Sequence, residues 1–368
     1  MVDETRLLQR FLKYVQIDSE SGNEKNMADR LIADLSALGC EVWHDDAGRG
    51  FGSNGYNVYA KLPGETSQKP LLFSAHIDTV KPGTGVRPLV EDGVVKSSGD
   101  TVLGGDDKSG VAAIVEAINC LAGGDISHRP VEILFSIGEE GGLKGAKSAD
   151  YSNFTSKEAL VLDSSGDVGK IITSAPGQIK FRATVTGKSA HAGVAPETGI
   201  NAIQAASSAV AAMKLLRVDN ETTANISAFI SDYASNIVPE KAEVRGEIRS
   251  RDLGKLNAQA EHMKNCMLDA CRKFGARLDI ELDTAYVSYK ISDDDGLVTL
   301  VSDACRKIGV NPATEASGGG SDANVMNLGG IKAVVLATGM DKVHTTSEQI
   351  TLKNLRDCAA LCLELMRA

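Results

Sequence analysis

The sequence predicts an α/β fold: a mostly parallel sheet flanked by helices, with a small βαββαβ domain inserted into it. Three observations predict it. Continuous apolar runs at 70–75, 131–137, 159–162 and 331–337 suit strands covered on both faces. Helical patterns lie between or beside them, at 5–15, 26–38, 108–121 and 352–366. Between 176 and 287 the pattern changes to alternation with a period of two, broken by two longer helical stretches. A chain of 368 residues also exceeds what one core usually serves, so two domains are expected.

The insertion reads element by element. Residues 178–186 alternate, with Ile179, Phe181, Ala183 and Val185 on one face. An Ala-rich helical pattern follows at 200–216. Alternation returns at 222–230 and 242–250. Leu256, Met263, Met267 and Phe274 recur at helical spacing within 253–274, and 276–287 closes with another strand. That order is the split ferredoxin-like unit. The larger domain is expected to comprise 1–175 and 288–368, and the insertion 176–287.

Composition narrows the function. The chain is 42% apolar, 24% charged and 4% aromatic, which is ordinary for a globular protein with a large core. A net charge of -10 argues against nucleic acid, which basic patches neutralise. No apolar stretch is long enough to span a bilayer, and no Lys/Arg run suggests a membrane-surface helix. Residues 1–6 do not read as a signal peptide. Seven Cys without a CxxC pair read as buried thiols of a reducing cytosol.

Polar residues fall where the apolar strands end. His76 and Asp78 close the first run, and residues two apart on a strand face the same way. Asp78 can therefore reach the His76 imidazole, as acids do behind metal-bound histidines. A polar strand end with a solvated His explains the pair equally well. Asp106 and Asp107 open a helix after Gly104-Gly105, where capping or the helix dipole accounts for each taken singly. Glu139 and Glu140 follow the second run, and adjacent carboxylates repel unless a cation joins them. Neighbours point in different directions, so one can ligate metal while the other acts as a base. Two solvated loop acids are the plain alternative. Asp163 ends the third run, and His344 lies in the loop after the fourth.

Taken together, His76, Asp106, Glu140, Asp163 and His344, with Glu139 to spare, gather at the edge where open α/β sheets bind ligands. Histidine with carboxylate and no Cys suits a catalytic pair of zinc ions rather than a closed structural site.

The segments His76-Ile77-Asp78, Gly105-Asp106-Asp107-Lys108-Ser109-Gly110, Gly138-Glu139-Glu140-Gly141, Leu162-Asp163 and Val343-His344-Thr345 carry a resemblance. In order, and across nearly the whole chain, they are similar to the signature segments of the co-catalytic zinc peptidases. That family includes peptidase T, carboxypeptidase G and aminoacylase, and the chain looks most like the peptidase T group. The resemblance implies a zinc-peptidase-type sheet with a lid that also dimerises. It implies two Zn2+ per subunit, with cobalt or manganese as substitutes. His76 and Asp163 would bind one ion, Glu140 and His344 the other, and Asp106 both. Asp78 would orient His76, and Glu139 would be the general base. His191, in Gly187-Lys188-Ser189-Ala190-His191-Ala192-Gly193, would help hold the carbonyl oxygen, in many relatives from the partner subunit. Asn236, Arg249, Gly319 and Ser321 resemble substrate-binding positions. The implied activity is a cytoplasmic exopeptidase acting on short peptides, tripeptidase- or aminopeptidase-like, and homodimeric through the lid. A deacylase of N-acyl amino acids is the alternative.

Plainer readings exist for the second set. His191 can be a polar turn residue. Arg249 shares a strand face with Glu243, Arg245 and Glu247, and a solvated face accounts for all four. The glycines at 318–320 lack a following Lys-Ser/Thr pair, so a phosphate loop is not expected.

Overall fold

The computed structural model describes residues 1–65, 67–123 and 126–367; Ala368, the end of the expected larger domain, lies outside them. The described residues form two compact units. The first comprises Met1–Ser174, Ile291–Ala316 and the stretch from Ser321 to the last described residue, Arg367. The second comprises Ala175–Lys290 with Ser317–Gly320.

At the centre of the first unit, four neighbouring strands run parallel: Val131–Ser136, Leu71–His76, Glu158–Ser164 and Lys332–Ala337, in that order. Their apolar residues are buried on both faces, which is why the sequence shows continuous runs rather than alternation. Antiparallel strands flank them. Val58–Leu62 and then Glu41–His44 lie on one side, and Lys170–Ala175 on the other.

The helix Gly105–Ala122 packs on Leu71–His76 and Glu158–Ser164, and is covered in turn by Glu4–Val15 and Leu352–Met366. It is buried on nearly every side, so its middle turns, Glu116 apart, are apolar all round rather than striped. Gly110 permits the approach, since a Cβ there would stand 2.6 Å from the carbonyl oxygen of Leu162. Glu4–Val15 is amphipathic, capped by Asp3 accepting from the Arg6 N–H, and buries Leu7, Phe11, Tyr14 and Val15. A separate small sheet joins Met340–Asp341, Gln349–Thr351, Val94–Ser97 and Pro88–Glu91.

The second unit has strands Gly177–Thr186, Thr222–Ile230, Lys241–Ser250 and Arg277–Tyr286 and helices Ala202–Ala212 and Leu253–Phe274. All the strand pairs are antiparallel, with Gly177–Thr186 between Lys241–Ser250 and Arg277–Tyr286. Ile179, Phe181, Ala183 and Val185 meet Ala205, Ala209, Leu256, Met263 and Met267 in one core, while Lys180 and Arg182 face outward. One sheet face is covered by helices and the other is polar, as alternation demands.

Candidate metal centre

Parallel strands end on the same side, so the four central strands deliver their carboxyl ends to one edge of the sheet. His76 is the last residue of its strand and pairs in register with Ser136. Asp163 is the last residue but one of Glu158–Ser164. Glu139 and Glu140 follow Ser136 after a turn in which Gly138 has a φ of 59° and a Cβ would press on Phe51. Asp106 sits at the start of the Gly105–Ala122 helix but holds φ -81°, ψ 102°, so the backbone does not yet run helically there. His344 takes a φ of 61°, rare for a residue with a side chain and frequent at functional sites.

The side chains converge in two sets sharing one carboxylate. Asp106 Oδ1 lies 3.1 Å from His76 Nε2, which is also 3.8 Å from Asp163 Oδ1. Asp106 Oδ2 lies 3.1 Å from His344 Nε2, which is 2.8 Å from Glu140 Oε1. Ligand atoms of His76, Asp106 and Glu140 fall within 4.8 Å of one another, and so do those of His76, Glu139 and Asp163.

The electrostatics is that of a centre built for positive charge. Burial, then the charge of Asp163, pushes the Glu139 carboxyl well above the usual range. Asp163 is pushed the same way by burial and by Asp106 and Glu140. Burial opposes ionisation of Asp106, but His344 and His76 hold its carboxyl below the ordinary value. His344 is raised to about 10 by its contacts with Asp106 and Glu140. Asp107 Oδ2 is buried with no hydrogen-bond partner, and Glu140 Oε1 is buried against His344 Nε2. An unpaired buried ion costs on the order of several kcal/mol, so divalent cations among these oxygens and imidazoles would relieve that cost. The donors fit such ions: carboxylate and imidazole, no thiolate.

Asp78 departs in detail from the expected arrangement. His76 Nδ1 is 2.9 Å from the backbone carbonyl of Asp78, while the carboxylate Oδ1 is 3.5 Å away, an electrostatic contact rather than a hydrogen bond. The carboxylate instead accepts the N–H groups of Glu139 and Glu140 at 3.0 and 3.3 Å, and the Ser21 hydroxyl at 2.6 Å. Asp78 thus fixes the Glu139–Glu140 turn as well as the imidazole.

The second unit holds His191, Asn236 and Arg249. His191 Nδ1 accepts from the N–H groups of Gly193 and Val194, each at 3.2 Å, which leaves the ring proton of the neutral side chain on Nε2 as a donor. Asn236 lies on the adjoining backbone, its carbonyl accepting from the Ala192 N–H. Arg249 is held by two hydrogen bonds to Glu247, and Gly319 sits near its Nη1. Ser321 belongs to the first unit, where its hydroxyl caps Asp322–Leu328 by accepting from the Ala323 N–H.

Two buried acids carry no role in the sequence reading. Asp322 accepts from the Ser136 hydroxyl, and burial raises its carboxyl to about 6. Glu348 accepts N–H groups from the Asp106 segment. Both stand close in sequence to residues singled out for other reasons, and nothing in their local pattern distinguishes them from solvated loop acids.

A fold and site of this kind define a metal-dependent hydrolase. Residues 72–368 match the model of peptidase family M20/M25/M40, and the chain belongs to that family. The protein YqjE of Bacillus subtilis is 42% identical over 366 residues, covering 100% of this chain and 99% of its own. A crystal structure of the aminopeptidase PepT from Bacillus cereus superposes with a TM-score of 0.93 at 40% identity, over 99% of this chain and 98% of that one. A tripeptidase from Staphylococcus aureus gives 0.96 at 35%, over 100% and 98%. The chain is a metallopeptidase, and the activity these findings support is that of a metal-dependent exopeptidase.

Proposed function

We propose that the protein removes the amino-terminal residue from short peptides, tripeptides foremost. It would use two zinc ions held by His76, Asp106, Glu140, Asp163 and His344. The observation that carries this reading is Asp106, whose two oxygens each stand 3.1 Å from a different imidazole. A carboxylate so placed is suited to bridge two cations. His76 with Asp163 and His344 with Glu140 would complete the two ligand sets.

Lewis acidity toward the attacked carbonyl is what a bound pair of divalent cations supplies. Glu139 would take the proton of the attacking water and pass it to the leaving amine. It is buried, grouped with His76 and Asp163, and its turn is pinned by Asp78. His191, with a donor at Nε2, is suited to hydrogen-bond the developing oxyanion. Asn236, Arg249, Gly319 and Ser321 are proposed to contact substrate, the guanidinium matching a peptide carboxylate.

A cytoplasmic homodimer fits the chemistry of the chain. Its seven cysteines are free thiols. No described helix is long and apolar enough to cross a membrane. Strand Arg277–Tyr286 leaves a sheet edge open to pairing.

The test strips the protein with a chelator, reloads it with Zn2+ and offers di-, tri- and tetrapeptides beside N-acyl amino acids, with products read by mass. Loss of the first residue from tripeptides is expected. Turnover of N-acyl amino acids alone would replace this reading with a deacylase.

A further inference from the structure

Glu348 lies four residues beyond His344, and its side chain is buried. Its Oε2 accepts the N–H groups of Leu103 and Gly104 at 2.7 and 2.9 Å, and its Oε1 accepts that of Asp106 at 2.9 Å. These groups precede the regular part of the Gly105–Ala122 helix, so the helix's own ladder does not satisfy them. One carboxylate fills the role, as an anion does in a cradle of successive amides. Gly105 leaves room for it, since a Cβ there would stand 3.1 Å from Oε1.

The backbone of Glu348 is tied on both sides. Its N–H donates to Thr345 O at 3.1 Å, and its carbonyl accepts from the Ser97 N–H at 3.0 Å. A single side chain thus joins two segments more than 240 positions apart, one carrying Asp106 and the other His344. The His76 half of the centre has separate supports, namely its strand register with Ser136 and its contact with the Asp78 carbonyl. In the His344 half, Asp78 holds the Glu140 N–H, and Glu348 joins the segments of Asp106 and His344.

We propose that Glu348 is a positioning residue that sets Asp106 Oδ2 against His344, and thereby tunes one of the two metal positions more than the other. The inference rests on the dinuclear reading above. It asks a specific thing of E348Q. The amide oxygen can keep the two N–H groups now on Oε2, but the NH2 group faces the Asp106 N–H, donor against donor. Asp106 would be displaced, and His344 would lose its partner.

The experiment titrates Co2+ into chelator-stripped protein and follows visible absorption and heat. Wild type is expected to take two ions. E348Q should lose about tenfold to a hundredfold in one affinity, the size usual for an outer partner of a metal ligand, and clearly less in the other. E348D, one methylene shorter, should shift the same position and serves if E348Q does not fold. The control is E132Q, another buried carboxylate holding backbone N–H groups, on Thr155 and Ser156. It should lower thermal stability and leave both affinities alone. Unchanged affinities in a folded E348Q, or equal weakening of both, overturn the clamp while leaving the dinuclear reading intact. A wild-type chain that takes up fewer than two ions overturns both.

Discussion

The two units hold their proposed functional groups in opposite ways. In the first, His76, Asp106 and Glu139 are buried at strand and helix ends, with His344 alone of the ligands exposed, and carboxylates pin the surrounding backbone through its N–H groups. In the second, His191 and Asn236 are exposed and held by a few local hydrogen bonds. A metal centre needs the first kind of support, because several ligand atoms must meet in one place before any ion arrives. A hydrogen-bond donor for a transient oxyanion needs only the right tautomer. The contrast predicts that lesions in the second unit spare metal binding, and that lesions in the first separate into those that affect metal, chemistry or stability.

The largest effect sharpens the distinction inside the first unit. Glu139→Gln keeps the shape but removes the base, so turnover of a tripeptide should fall by about a thousandfold. Metal content, measured by mass spectrometry of the digested protein, should stay at the wild-type level. An active variant with normal metal would remove Glu139 from the mechanism. His191→Ala carries the comparison to the second unit. A loss of about a hundredfold in kcat is expected from deleting one oxyanion donor, with Co2+ affinity and melting temperature unchanged. Turnover within twofold of wild type would break the proposed role, and a fall in Co2+ affinity would break the contrast between the units.

Much of this is legible in the sequence because the chain puts its chemistry where regular elements stop. His76, Glu139, Glu140 and Asp163 each follow an apolar run, and those runs are among the four central strands. The alternation of Ile179, Phe181, Ala183 and Val185 marks a strand with one buried face. Other features leave no local trace. The small sheet uses strands of two to four residues, too short for a period to register. Helical pattern suggests a start at Lys108, whereas the hydrogen-bonded helix begins at Gly105, with Asp106 and Asp107 in non-helical conformations. Glu348 is invisible as a clamp because its partners are main-chain amides far away in sequence, and amides carry no side-chain signature. Ser321 reads as part of a glycine-rich substrate loop, and its hydroxyl proves to cap a helix.

The smallest effect tests whether carboxylate pinning is a general stabiliser of this unit or a device of the metal edge alone. Glu132 is buried in the strand Val131–Ser136, toward the end opposite Ser136, and accepts N–H groups of Thr155 and Ser156 at 2.8 to 3.1 Å. Burial works against its charge, but the contacts with Ser156 and Thr155 win and hold the carboxyl below the usual range. A carboxyl with a depressed folded pKa contributes stability that is present above the unfolded value and lost as pH falls through the folded one. Glu132→Gln should therefore cost about 2 kcal/mol near pH 7, the scale of hydrogen bonds to a charged group. The gap to wild type should hold down to about pH 5, begin to narrow near the ordinary Glu value of about 4.3, and be lost as pH falls through the lower folded value. Melting curves across that range decide the matter. A gap that stays constant into acid would mean that the substituted amide is penalised by shape alone, and that charge on the native Glu132 contributes nothing.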